Sequence, residues 1–166
     1  MVDNMSYFSE VISKDFFKQK VLDGKAFYTE DITTIAGGAD EDILLKVGSE
    51  KVWLFAIVDA DDILDILLYE GTTVSADGTA LTINDMNRTT DNTCSVSPFT
   101  GPTITADGDL LEQESILNVA RSARVGFVRI RVGWLLAANT NYLIRIDNTS
   151  GAPEDIVLSL SLFEED

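Results

Sequence analysis

The chain has 166 residues, 45% of them hydrophobic, and a formal net charge of −16, which gives one well-buried domain and too little length for two. A single cysteine, Cys94, excludes an intramolecular disulfide or a cysteine metal site, and the absence of histidine removes the commonest general base, nucleophile activator and zinc ligand together. Acidity argues against a nucleic-acid backbone or an anionic membrane as partner, and no apolar stretch approaches the roughly 20 residues that span a bilayer.

The first ten residues have no basic stretch leading into an apolar run, so no signal peptide is expected and the chain reads as folding in a cytoplasm. Residues 6–22 are the one convincing helical candidate. Phe8, Ile12 and Phe16 recur at four-residue spacing, Val11, Val21 and Leu22 widen the stripe, and Asp23-Gly24 supplies a stop. Such a segment either packs on its own domain or forms an arm that docks on a partner. The expected division is an N-terminal arm, 1–23, and a β-domain, 24–166.

Strands are expected from Ala26 onward, over Ala26–Ile35, Ile43–Val47, Val52–Val58 and Ile63–Tyr69. The third run is apolar throughout and reads as a strand buried on both faces. Further candidates are Ala80–Ile83, Thr93–Phe99, Phe127–Leu136, Asn141–Asp147 and Ile156–Phe163. Leu158, Leu160 and Leu162 share one face, with Ser159 and Ser161 on the other. The Asn148–Gly151 turn predicts an antiparallel hairpin between the last two strands. Short strands at this spacing point to an all-β, antiparallel β-sandwich of jelly-roll or Greek-key type.

One phrase occurs twice, at Tyr69–Leu81 and Phe99–Leu111, with Gly71/Gly101, Thr73/Thr103, Ala76/Ala106, Asp77/Asp107, Gly78/Gly108 and Leu81/Leu111 identical. Each copy sets Asp-Gly between β-branched runs, which predicts the same hairpin bend built twice. Repeated bends without a catalytic constellation point to a scaffold rather than an enzyme.

Charge is uneven. Arg121, Arg124, Arg129 and Arg131 form a run without an acid in a chain that is acidic nearly everywhere else. They either pair with acids of the same molecule or meet the acidic region of a neighbouring copy. Asp59, Asp61, Asp62 and Asp65, and separately Asp107-Gly108-Asp109, resemble calcium-binding turns, but neither has EF-hand spacing and solvated turn residues are the plainer reading, so no metal or cofactor is expected. Cys94 has no histidine to activate it. Arg88 is expected to hold its polar loop through backbone carbonyls or Asp91. Trp53 and Trp134 fall in strands and read as core. No nucleophile elbow, phosphate loop or dinucleotide fingerprint occurs.

Leu68-Tyr-Glu-Gly71, Asp77–Leu81, Asn87-Arg88, Asn92-Thr93, Gly101–Thr105, Trp134–Arg145 and Asn148–Gly151 together resemble a family of small tailed-phage virion proteins of the head decoration, or cement, type. The resemblance covers residues 24–166. Many relatives carry a glycine-rich stretch before the tryptophan phrase, where this chain has Ser115–Val125. The resemblance implies a β-sandwich on the outer capsid surface, commonly a homotrimer, that bridges subunits of the major capsid protein and catalyses nothing. Tyr7, Phe8, Ile12, Phe16 and Phe17 are then candidate capsid contacts, and Arg121, Arg124, Arg129 and Arg131 candidate contacts between protomers. The competing expectation is a tail or baseplate jelly-roll module that binds host glycan; a hydrolase built on two carboxylates comes third.

Overall fold

The computed structural model describes residues 16–60, 63–116, 126–129 and 133–165. It opens in a helix, α1 (residues 16–22), whose end is closed by hydrogen bonds from Gly24 N–H to the Val21 carbonyl (3.1 Å) and from Lys25 N–H to the Lys20 carbonyl (2.9 Å). This paired closure needs a left-handed residue at Gly24, which is why Asp23-Gly24 stops the helix.

Fourteen strands follow among the described residues. Eight build the sandwich: β1 (Ala26–Ile35), β2 (Asp40–Val47), β3 (Val52–Ala60), β4 (Leu64–Glu70), β10 (Asp109–Ile116), β11 (Gly126–Arg129), β13 (Asn141–Asn148) and β14 (Glu154–Glu164). They pair as a nest of antiparallel partners, β1 with β14, β2 with β13, β3 with β11 and β4 with β10. Rolling this long hairpin also sets β14 beside β3 and β13 beside β4. The result is a jelly roll of two facing sheets. The first runs β11-β3-β14-β1-β7, with β12 (Trp134–Leu136) also on β3, and the second runs β10-β4-β13-β2-β8-β6. The strands β5 (Thr73–Ala76), β6 (Thr79–Ala80), β7 (Asn84–Asp85), β8 (Val96–Thr100) and β9 (Thr103–Ala106) all lie in the excursion between β4 and β10.

Alternation explains the core. Ile156, Leu158, Leu160 and Leu162 of β14 and Leu54, Ala56 and Val58 of β3 point inward against Ile43, Leu45, Leu64, Leu68, Ile144 and Ile146 of the second sheet.

Three local expectations are corrected. The β3 run, although apolar throughout, is buried on one face only; Trp53, Phe55, Ile57 and Asp59 lie toward solvent. The last two strands form no hairpin, because β13 and β14 belong to different sheets. The buried Asn148 carries the chain around that corner, its amide donating to the carbonyls of Ile35 (3.0 Å) and Ala152 (2.8 Å) while its side-chain oxygen accepts from Ser150 N–H (3.0 Å). The Asp-Gly bends do not pair their own flanking strands either; they pair strands across the two copies.

Candidate interaction surfaces

On β2, Ile43 and Leu45 face the core, yet Leu44 between them is also fully buried; Leu143 on β13 is in the same position between Tyr142 and Ile144. Both therefore point away from the sandwich and are covered from outside. The β5–β9 ribbon is tied to this sheet at its ends, where Asn141 Nδ2 donates to the Thr72 carbonyl (3.2 Å), Gly101 N–H to the Asp42 carbonyl (3.1 Å) and Gly71 N–H to the Asn141 carbonyl (2.9 Å).

The duplicated phrases build this strap as a local twofold. Its middle strands pair with each other, Val74 opposite Ile104, Thr73 opposite Ala106 and Ala76 opposite Thr103. Their flanks exchange: Tyr69 and Glu70 of the first copy pair with Leu110 and Asp109 of the second, and Phe99 and Thr100 of the second pair with Ala80 and Thr79 of the first. The axis passes through the Leu44–Leu143 pair. It also relates Asp42-Ile-Leu-Leu-Lys46 to Asn141-Tyr-Leu-Ile-Arg145, a likeness in the sequence that lies outside the two turn phrases.

Each half ends in the same clamp. Lys46 Nζ lies 2.8 Å from Asp77 and 5.9 Å from the centre of the Phe99 ring; Arg145 Nη2 lies 3.1 Å from Asp107, with its guanidinium 5.8 Å from the Tyr69 ring. A cation on the sheet thus joins the aspartate of one copy to the aromatic ring of the other. Arg145 is held harder, because Asp42 receives it through two bonds of 2.7 and 2.9 Å and Asp40 lies 3.3 Å away. Those bonds to Asp42 push the guanidinium further above its already high range. Asp107 is therefore an ion-pair partner of Arg145.

A second surface lies on the outer face of the first sheet. Phe163 is its centre, with ring centroids of Phe16, Phe17 and Phe55 at 6.1, 5.6 and 5.6 Å. Trp53, opposite Phe163 in the β-ladder, and Leu135, opposite Trp53, extend the row. Helix α1 is thereby seated on its own domain, and Lys20 Nζ donates to the Glu164 carbonyl at 2.7 Å. Phe16 and Phe17 nevertheless keep much of their surface open, so the shelf is only partly closed.

The other candidates fall as follows. Tyr7, Phe8, Ile12, Arg121, Arg124, Arg131, Asp61 and Asp62 lie outside the described residues. Arg129 occupies the end of the edge strand β11, opposite Ile57. Asp65 accepts from Ser115 Oγ, and among the described residues no three His, Cys, Asp or Glu side chains converge as a metal site. Arg88 Nη1 donates to the Asp85 carbonyl (3.3 Å), as a loop-holding residue would. Asp85 organises that loop, accepting from Asn87 N–H, Thr90 Oγ1 and Asn92 N–H. Trp53 and Trp134 are half-buried and donate to Glu165 and Glu112. Burial pushes the Cys94 thiol up to about 12, which leaves it without nucleophilic character at neutral pH. It lines an open cleft of about 360 Å³ with Leu81, Asn92, Ser97 and Phe99.

No family model and no curated protein sequence matches the chain. Among solved structures, the crystal structure of Yersinia pseudotuberculosis-derived mitogen aligns at 12% identity and a TM-score of 0.40, over 84% of this chain and 86% of that one.

Proposed function

We propose that this chain is a capsid decoration protein of a tailed phage, which docks on the outer surface of the head and bridges neighbouring subunits of the major capsid protein. The observation that carries the reading is the half-open aromatic shelf of Phe16, Phe17, Phe55 and Phe163 at the point where the N-terminal segment joins a strongly acidic jelly roll. Cement sums modest contacts across subunit boundaries, so it requires a stiff body, an apolar contact point and solubility before docking. The doubly clamped strap supplies stiffness, the shelf supplies contact, and a net charge of −16 supplies solubility. The phrases at 68–81, 99–111 and 134–151 that resemble the decoration family fall on this strap, on β12 and β13, and on the corner after them.

A homotrimer fits the same reading, with Arg129 on β11, the terminal strand of the first sheet among the described residues, as a candidate contact between protomers. Light-scattering mass, followed by co-sedimentation with empty capsids of the cognate phage, tests both. A trimer that pellets with capsids is the expected result, and a monomer that stays in the supernatant overturns it. Exchanging Arg129 and Arg131 for Glu is expected to dissolve the trimer while the β-sheet circular dichroism stays unchanged.

The cleft beside Cys94 favours one second reading, a glycan-binding module on a tail or baseplate, since it combines Asn92, Thr93 and Ser97 with an aromatic ring. A rise in Tm on adding host glycan, with no capsid binding, selects it.

A further inference from the structure

We propose that the edge of β1 from Glu30 to Ile35 takes up an added strand from a partner protein, an extended segment in which Lys or Arg alternates with apolar residues. In the first sheet β7 pairs with β1 only at Phe27 and Tyr28, and beyond that point no strand of the described residues pairs with this side of β1. The Ala26 carbonyl accepts from Met86 N–H on the same side (2.9 Å). By the two-residue alternation of an antiparallel strand, the backbone groups of Glu30, Ile32 and Thr34 point that way too. The stretch is about 17 Å long, the length of an ordinary strand. Unpaired backbone of this kind is a template for another strand. Ile32 stands on it at 69% exposure, the highest of any large apolar residue among the described ones.

Charge selects the occupant. Asp31 shares the inward face of β1 with Phe27 and Thr29, and Glu41 shares that of β2 with Ile43 and Leu45. Both carboxylates are half-buried, and they lie close enough that Asp31 adds to the burial that holds Glu41 above the usual carboxylate range. Burial raises Asp31 as well, offset in part by the Ile32 N–H beside it. Arg145, opposite Asp42 in the β-ladder, is already divided among Asp42, Asp107 and Asp40. Among the described residues no ion pair involves Asp31 or Glu41. An incoming strand that sets Lys or Arg on its inward side supplies the missing counter-charge, while its alternate apolar residues meet Ile32 outside. A second copy of this chain is the poorer fit, because it sets Glu30 and Asp31 against their own images. This edge is separate from the aromatic shelf, and the proposal does not rest on the capsid reading.

Fluorescence anisotropy of a short labelled peptide that alternates valine with lysine, titrated with the full chain, tests it. Saturable binding is expected, and the same peptide with glutamate for lysine is expected not to bind. Asp31→Asn with Glu41→Gln is expected to weaken binding about tenfold while the β-sheet circular dichroism holds. N-methylating the backbone amides of the lysine peptide keeps its charge and side chains and is expected to abolish binding, because the peptide can then no longer join the ladder. No binding by the lysine peptide, binding that survives N-methylation, or binding unchanged in the double variant each overturns the proposal. So does an oligomer of the chain alone that is lost on Ile32→Pro, a change that removes an edge N–H and leaves the β14 ladder in place, because the edge then serves a second copy.

Discussion

Arg145 stands 3.1 Å from Asp107, and its counterpart across the local twofold, Lys46, stands 2.8 Å from Asp77. The two clamps are alike in plan and unlike in strength. Both partners of the lysine clamp are well exposed, whereas Arg145 is mostly covered and also serves Asp42 and Asp40.

Removing each cation separates the two cases. Lys46→Met breaks an exposed pair and is expected to cost about 0.5 kcal/mol. Arg145→Met leaves Asp40, Asp42 and Asp107 facing one another without a counter-charge and is expected to cost about 2–3 kcal/mol, discounted for the exposure of Asp40 and Asp107. Urea unfolding of the two variants checks the order; equal losses would mean that the extra aspartates do not hold Arg145.

The strap also depends on two backbone positions. Gly78 and Gly108 sit at φ of +92° and +95°, and a Cβ would strike the Thr100 carbonyl oxygen in the first case and the Glu70 carbonyl oxygen in the second. Those carbonyls are themselves related by the twofold. Gly78→Ala and Gly108→Ala are each expected to lower stability by about 2 kcal/mol or more. Gly151→Ala, which opens into free space, is the control expected to change little.

Inside the sandwich end, Glu41 is pushed above the usual carboxylate range by burial and then by Asp31, Asp42 and Asp40, while burial also raises Asp31. A raised folded-state value means that the favourable contribution is present below the unfolded carboxylate range and is lost as pH rises through the folded value. At neutral pH the two groups oppose folding. Glu41→Gln is expected to raise Tm at pH 7 and to lose that advantage in acid, which a pH series of thermal melts reads directly.

Tyr142 gives the opposite end of the scale. Burial, followed by its hydrogen bond to Glu70, pushes the phenol from 10.0 up to about 12. Its contribution is intact below the ordinary tyrosine range and disappears as pH rises through the folded value, so stability is expected to fall between pH 10 and 12. Tyr142→Phe flattens that fall and is expected to cost about 1–2 kcal/mol near neutrality, because Ala137 N–H also loses its acceptor at 2.9 Å.

Much of this architecture is legible in the chain because alternation is local. The inward residues of β14 and the existence of β1 to β4 follow from period-two patterning, and the recurrence of the Tyr69 and Phe99 phrases announces a repeated unit. What local pattern does not carry is the partner of each strand. The Asp-Gly bends look the same whether they close a hairpin or hand a strand to the other copy, and Asn148 looks like a turn residue whether it joins neighbours or leads from one sheet to the other. The kinship of Lys46 and Arg145 was hidden for a different reason: their strands agree in charge and branching rather than in identity. The aromatic shelf is not legible locally: the resemblance makes Phe16 and Phe17 candidate capsid contacts, and Phe55 and Phe163 join them only through register.

The place of β14 has a consequence for synthesis. It fills the slot between β3 and β1, both of which leave the ribosome far earlier, so two unsatisfied sheet edges wait until residues 154–164 emerge. Nested pairing of the first strand with the last closes the longest loop the fold contains, which places its folding in the slow class, on the order of milliseconds to seconds. The nascent chain therefore spends its translation with open edges, and the charge that keeps finished molecules apart also protects it from its neighbours on the same polysome.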